Sequence, residues 1–303
     1  MTYTATTFST AEAFLQRTRP FLEARESLNS LILGISIRLV EHPEWEDFPF
    51  SLTTIEDLDG TIAVTALMTP PRQITLAGID PPPLQAVETL VASLIASEFL
   101  FRSHWRPPGV IGPQALAEMF TRVWSEANGL VYHKAMSQRM YELRKVSAFP
   151  DCPGRLCPAS ESDLETVAAW HNAFLAEAME PDTLESSRKI AARCIAAGDV
   201  FLWRPEFLFR NSGPVSMAVR SRPTLNGASI GGVYTPPHQR RKGYASATVA
   251  ALSQLILDSG KQFCTLFTDL SNPTSNHIYM KIGYVPVGDF ALYHFESPDP
   301  TGV

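Results

Sequence analysis

Three adjacent cations, Arg240, Arg241 and Lys242, run into Gly243 and then into Tyr244, Ala245 and Ser246, which open an apolar-periodic stretch. Positive side chains are unfavourable at the positive end of a helix dipole, so three of them there ask for an anion. The first four N–H groups of a helix have no partner inside it, and a diphosphate can take them. Gly243 would let the backbone approach a phosphate with no side chain in the way, and Ala245 keeps a nearby position small. The preceding residues suit the same purpose. Val233-Tyr234-Thr235 ends a strand pattern, and Pro236 and Pro237 have no N–H with which to continue a sheet ladder.

A second stretch could do chemistry: NPTSNHIYMKIGY, residues 272–284. A helix opened by Pro273 puts Ser275 and Tyr279 four apart on one face, so Tyr279 can point back toward the strand ends. Gly283 suits a helix C-cap before a strand that starts at Tyr284. Asn272 stands just before the helix.

The elements that must position these residues follow from periodicity and turn signals. The first half predicts a helix over 23–41, strands at 50–55, 61–68 and 73–79, helices over 84–101 and 113–127, and a closing strand pattern through 130–143. Residues 149–158, with three prolines and a glycine, read as a linker. The second half predicts helices from 163, with Ser160 or Ser162 as N-cap, and over 183–197. Strands follow at 200–204, 215–221 and 228–235. Then come a helix to 258 with Val249, Leu252, Leu255 and Ile256 inward, a strand at 263–269, a short helix from 273, and paired strands at 284–287 and 291–295. The order of elements repeats, and AGIDPP (77–82) echoes GVYTPP (232–237), so the chain reads as a duplication. Its domains are 1–148, the linker 149–158, and 159–303.

Composition narrows the class of partner. With 303 residues, 45% of them hydrophobic, there is enough chain for two ordinary domains. A net charge of −6 argues against a general nucleic-acid binder and leaves a small anion as the natural target of clustered cations. The longest apolar runs, 28–40 and 90–101, fall short of a membrane span, so a cytoplasmic location without membrane partners is expected. Cys152, Cys157, Cys194 and Cys264 lack zinc-site spacing and read as free thiols; no metal is expected.

The two chemical stretches resemble the GNAT superfamily of N-acetyltransferases. Arg240-x-x-Gly243-x-Ala245 is similar to its acetyl-CoA signature after the fourth strand. Asn272, Ser275, Tyr279, Gly283 and Tyr284 match its second signature, and the resemblance covers about residues 154–295. It implies an α/β (α+β) fold of two GNAT-like domains, each a mixed sheet flanked by helices, with the second sheet splayed between its fourth and fifth strands. The first half resembles a degenerate copy, without a glycine phosphate loop and with only Met119 or Phe120 at the tyrosine's place; it is not expected to catalyse.

The resemblance further implies acetyl-CoA as co-substrate. Its pantetheine arm would pair with Val233 and Thr235, and its diphosphate would be held by amides from Arg241 to Ser246. A main-chain N–H near Val233 or Tyr234 would stabilise the oxyanion, and Asn272 and Ser275 would contact the cofactor. Tyr279 would protonate the leaving thiolate while a primary amine of a small molecule or peptide attacks directly. No carboxylate lies in 228–235, so Glu177 or Glu206 is the candidate base, with a water chain as the substitute. Trp170, Phe174, Trp203, Phe207 and Phe209 are candidates to line the acceptor side, or simply core; His171, His238 and His294 carry no signal of their own. The alternative is a non-catalytic acyl-CoA sensor. The acceptor and the oligomeric state stay open, a homodimer among the options.

Overall fold

The computed structural model describes residues 2–45, 48–97, 99, 105–147, 151–178, 182–205 and 213–298. Their contacts group into two units. The first holds Met1–Met140, Thr268–Ser271 and Val287–Val303; the second holds Tyr141–Phe267 and Asn272–Pro286.

The two halves of the chain carry the same succession of elements. The first runs β1 (Tyr3–Phe8), α1 (Ala11–Glu23), α2 (Ser30–Glu41), β2 (Ser51–Asp57), β3 (Ile62–Met68) and β4 (Ile74–Gly78). It continues with α3 (Leu84–Ile95), β5 (Gly109–Pro113), α4 (Gln114–Asn128) and β6 (Val131–Leu143). The second runs β7 (Arg155–Pro158), α5 (Leu164–Ala178), α6 (Leu184–Ala196), β8 (Val200–Arg204), β9 (Ser216–Ser221) and β10 (Gly227–Tyr234). It ends with α7 (Tyr244–Asp258), β11 (Phe263–Asp269), α8 (Pro273–Ile282) and β12 (Val285–Glu296). Pairing repeats as well. β1 to β4 are antiparallel neighbours in order and β4–β5 is parallel; β7 to β10 and β10–β11 do the same. Each parallel pair needs a crossover, which α3 and α7 supply.

Side-chain alternation buries both faces of these sheets. In the first unit Val64, Ala66, Met68, Ile74 and Leu76 face Val87, Leu90, Leu94 and Phe120 of α3 and α4. Leu67 and Ala77 face the other way, toward Phe14, Leu22, Ile32 and Leu33 of α1 and α2. In the second unit Val249, Leu252 and Ile256 of α7 pack on Ala228, Ile230, Cys264 and Leu266. Each such side chain contributes roughly 1.5–3 kcal/mol by leaving water. On the opposite face Val167, Ala168 and Ala191 of α5 and α6 cover Val200, Leu202, Met217 and Tyr234.

Several expectations need correction. The helix expected over 23–41 starts only at Ser30, as α2, with Asn29 at its N-cap position and the Asn29 side-chain amide donating to Leu22 O at 3.0 Å. α1, which ends at Glu23, was not anticipated. Leu255 is 44% exposed and leaves the buried stripe of α7. The strands expected at 284–287 and 291–295 are one continuous strand, β12. β1 was not anticipated because its Thr-rich middle is exposed and lacks apolar alternation. Part of the expected linker is strand β7, which pairs with β8 from Arg155↔Arg204 to Pro158↔Phe201; residues 148–150 lie outside the described set.

The division by contacts also departs from a cut at 149–158. Phe290 to His294 of β12 pair with Pro113 to Gly109 of β5, so β12 from Val287 onward belongs to the first unit. Conversely Tyr141–Leu143, the end of β6, belong to the second unit, where β6 neighbours β11. Long-range ladder hydrogen bonds override proximity in sequence here.

Candidate active site

β10 is regular only in part. Its parallel register with β11 covers Gly227↔Phe263, Ala228↔Cys264 and Ser229↔Thr265, and no rung is recorded for the rest of either strand. On its other edge Gly231 faces Val219 and Tyr234 faces Met217. Three steps along β10 (231 to 234) thus match two along β9 (219 to 217), leaving one extra residue: a β-bulge. Gly232 makes it feasible, with φ +55, a conformation that L side chains rarely adopt. A Cβ there would also come within 3.0 Å of Val219 Cγ2. Gly232 and Val233 consequently have no register partner on either neighbouring strand among the described residues.

The strand end is then fixed from behind. The buried Ser216 hydroxyl donates to Tyr234 O at 3.2 Å, and Thr235 Oγ1 donates to Ser216 Oγ at 2.9 Å. Pro236 ends the strand, and a 3-10 turn over Pro237–Gln239 leads into the cationic run. Arg241 stands at φ +65 and Gly243 at φ +82, where Gly243 is the N-cap of α7. The first main-chain bond of α7 is Ala247 N donating to Gly243 O at 3.0 Å. No main-chain acceptor is recorded for the N–H groups of Arg241 to Ser246, so six consecutive donors surround the glycine. A Cβ built on Gly243 would meet nothing within 4 Å. Unpartnered main-chain donors beside an open glycine are the kind of backbone feature that can take an anion.

The flanking cations differ in availability. Lys242 Nζ donates to Gln239 Oε1 at 2.9 Å, and the Arg241 side chain is exposed. Arg240 is committed to the protein. Its Nε donates to Thr235 O at 2.9 Å and its Nη2 to Glu177 Oε1 and Oε2 at 2.8 and 2.7 Å.

α8 delivers the tyrosine. Asn272 caps it by accepting from Ser275 N at 3.0 Å, and Gly283 at φ +116 ends it. Tyr279 is buried in the cluster that also contains Ala228, Ile230 and, at its margin, Val233. Burial pushes its phenol up to about 12, while the hydrogen bond with Ser275 acts the other way. The phenol therefore keeps its proton throughout the neutral range.

A family model described as FR47-like protein matches residues 209–289. Nothing among curated proteins matches the chain. Three solved structures are similar over nearly their whole lengths. A Drosophila protein has TM-score 0.68 at 11% identity, over 97% of this chain and 99% of that one. A GCN5-related N-acetyltransferase from Sphaerobacter thermophilus has TM-score 0.60 at 16% identity, over 96% and 94%. A tandem GNAT protein from the clavulanic acid biosynthesis pathway has TM-score 0.56 at 11% identity, over 99% and 100%. The fold is a tandem GNAT fold.

Within that tandem the halves differ where the chemistry would lie. β3–β4, the first-half counterpart of β9–β10, has an unbroken register from Val64↔Gly78 to Leu67↔Thr75, with no bulge. α3 begins after Pro83, whose carbonyl already accepts from Ala86 N and Val87 N. On α4, Phe120 is fully buried and stacked on Trp124, so no hydroxyl stands in for Tyr279.

The other sequence candidates separate in the second GNAT-fold half. Trp170 approaches the Tyr234 ring at 6.2 Å, and Phe174 packs in the same cluster. Trp203 is a core residue, packed with Val215, Tyr244 and Ala247. His171 Nδ1 lies 3.1 Å from Ser187 Oγ, and burial holds its imidazole below the usual range. His238 is exposed, and His294 faces His133 edge-on in the first unit. Glu206, Phe207 and Phe209 lie outside the described residues. Among the described residues no group of His, Cys, Asp or Glu is placed to hold a metal ion, and no helix is long and apolar enough to cross a membrane.

Sequence reasoning overlooked three contributors. The Gly231-Gly232 pair inside a strand pattern is a bulge signal that could have been used. Ser216 and the buried hydrogen bond of Tyr141 Oη to Asn276 Oδ1 at 2.9 Å, which secures the first turn of α8, had no local signature.

The buried acids of this half predict how it responds to alkali. Burial raises Cys264 from 9.0 to about 12 and Tyr279 from 10.0 to about 12, and holds Tyr284 well above 10.0. The folded state retains these protons after the unfolded chain has lost them. Their stabilising contribution is complete below about pH 9 and is lost between about pH 9 and 12. Denaturation midpoints should decrease as pH rises from about 9 to about 12, with the onset displaced upward in Cys264→Ser. A midpoint unchanged across that interval would contradict the burial argument.

Proposed function

We propose that the second half is an N-acetyltransferase that moves an acetyl group from acetyl-CoA to a primary amine of a small molecule or peptide by direct attack. The observation that carries this reading is the conjunction at the end of β10. A bulge frees main-chain groups at Gly232 and Val233, the parallel rungs to β11 stop at Ser229, and an unpartnered amide cradle follows around Gly243.

Each feature has a use. Rungs that stop while both strands continue fit a sheet that opens there, where an amide-bearing arm could pair with Val233 and Thr235. The amides from Arg241 to Ser246 hold the diphosphate, helped by Arg241 and Lys242. Bound acetyl-CoA would supply an activated acyl group as its thioester. A main-chain N–H at the bulge, near Val233 or Tyr234, donates to the carbonyl oxygen as charge gathers there, commonly the largest contribution in acyl transfer. Tyr279, protonated and on the adjacent helix, gives its proton to the departing sulfur, and the proton that the amine loses on becoming an amide returns through water to restore the phenol. Asn272 contributes through its cap, which sets the start of α8, and Ser275 through its hydrogen bond to Tyr279. The first half, with no bulge between β3 and β4, no glycine cradle and no tyrosine at the place of Tyr279, is structural in this reading, and its β5 receives β12.

Thiol release from acetyl-CoA, followed across a panel of small amines and peptides, tests the proposal. Release with at least one amine, dependent on Tyr279, is the expected result. Tight CoA binding without turnover on any amine would instead make the half an acyl-CoA sensor.

A further inference from the structure

On the acetyl-CoA reading just given, we propose that Glu177 is a positioning residue for the diphosphate turn, acting through Arg240, and is not the general base. The Arg240 guanidinium makes three separate attachments to the protein. It donates to Thr235 O at the end of β10, it grips both oxygens of Glu177 on the last turn of α5, and it lies 5.7 Å from the centre of the Tyr234 ring. One side chain thus joins the bulged strand, the turn and a helix.

The turn needs such an anchor. Arg241, the residue after Arg240, is held at φ +65, where a side chain is disfavoured. Inside the turn the main-chain bonds are Gln239 N to Pro236 O and Arg240 N to Pro237 O; the next is Ala247 N to Gly243 O. Residues 241–243 are consequently spanned between α7 on one side and Arg240 on the other, with a long contact from Cys152 Sγ to Lys242 O at 3.8 Å and an exposed bond from Lys242 Nζ to Gln239 Oε1 at 2.9 Å. Donors that bind well must be held in place before the ligand arrives, because ordering them on binding costs affinity.

α5 is a sound anchor. Trp170, two turns before Glu177, meets the Tyr234 ring, so α5 touches the end of β10 at two levels. Both Glu177 oxygens accept from the Arg240 guanidinium, so taking a proton from an amine would compete with a charge-assisted bond they already make. The planar guanidinium holds Thr235 O through Nε and Glu177 through Nη2, two diverging bonds that the single nitrogen of a lysine cannot make together.

Calorimetry of CoA binding to the full chain tests this. Glu177→Gln and Arg240→Ala should each raise the dissociation constant about three- to tenfold, since the pair is half-exposed and screened. The double variant should bind no more weakly than the weaker single variant, because both remove the same link. Arg240→Lys should behave like Arg240→Ala despite keeping its charge, which separates positioning from attraction to phosphate. Melting temperatures report whether each variant is folded, and Arg240→Lys is the variant least disturbing to the fold. Wild-type affinity in Glu177→Gln, or losses that multiply in the double variant, would overturn the proposal. So would a Glu177→Gln protein that binds CoA normally but loses turnover and the basic limb of its pH profile, since that is the signature of a base. A wild-type chain that binds no CoA would remove the acetyl-CoA reading and this one together, whereas normal CoA binding in all variants removes this one alone.

Discussion

Gly243→Glu is expected to abolish CoA binding, raising the dissociation constant by at least about a hundredfold, the worth of one or two lost bonds to a charged phosphate. Two effects add. Any side chain at φ +82 is strained, and a carboxylate there fills the cradle with negative charge where the ligand's own charge must go. Gly243→Ala separates them. A methyl group at that position meets nothing within 4 Å, so the free protein loses only about 1 kcal/mol of backbone stability, and affinity falls by less than in the glutamate variant. Calorimetry and a melting curve on both variants make the comparison. Unchanged affinity in Gly243→Glu would show that the amides around it are not the diphosphate site.

Tyr279→Phe is expected to slow turnover by about a hundredfold or more, the usual scale for losing a general acid, while CoA affinity stays within a few-fold. The ring would remain, so its edge-on contact with Tyr284 at 6.1 Å and its place in the core persist. Only the hydroxyl and its bond with Ser275 are removed. Steady-state rates together with a binding isotherm separate the two quantities. Because burial pushes the phenol up to about 12, its ionisation cannot shape the pH–rate profile near neutrality. Any limb seen there belongs to another group, and a Tyr279→Phe enzyme that turns over at the wild-type rate would remove Tyr279 from the chemistry.

Much of this site was readable before any coordinates. The cations, the glycine and the prolines act through backbone preferences and the helix dipole, which are local properties, so their order along the chain already states where α7 begins. The same holds for Pro273 as the opening and Gly283 as the stop of α8, both at the expected places, whereas the capping bond of Asn272 was not anticipated. Strands with buried alternation, such as β3 and β4, were also legible, whereas the exposed, threonine-rich β1 was not.

The repeat of elements, the cradle and the tyrosine helix were thus determined by sequence alone, because each depends on residues within a few positions of one another. Other features had to wait for the tertiary structure. Glu177 and Arg240 are 63 residues apart, and a lone glutamate on a helix carries no mark of the arginine that will claim it. The bulge in β10 exists only against β9, and β12 joins β5 through hydrogen bonds that span most of the chain. Pairing partners, and hence which main-chain donors remain unused, are properties of the assembled sheet, and for that reason only the fold could decide where the ladder of β10 is interrupted.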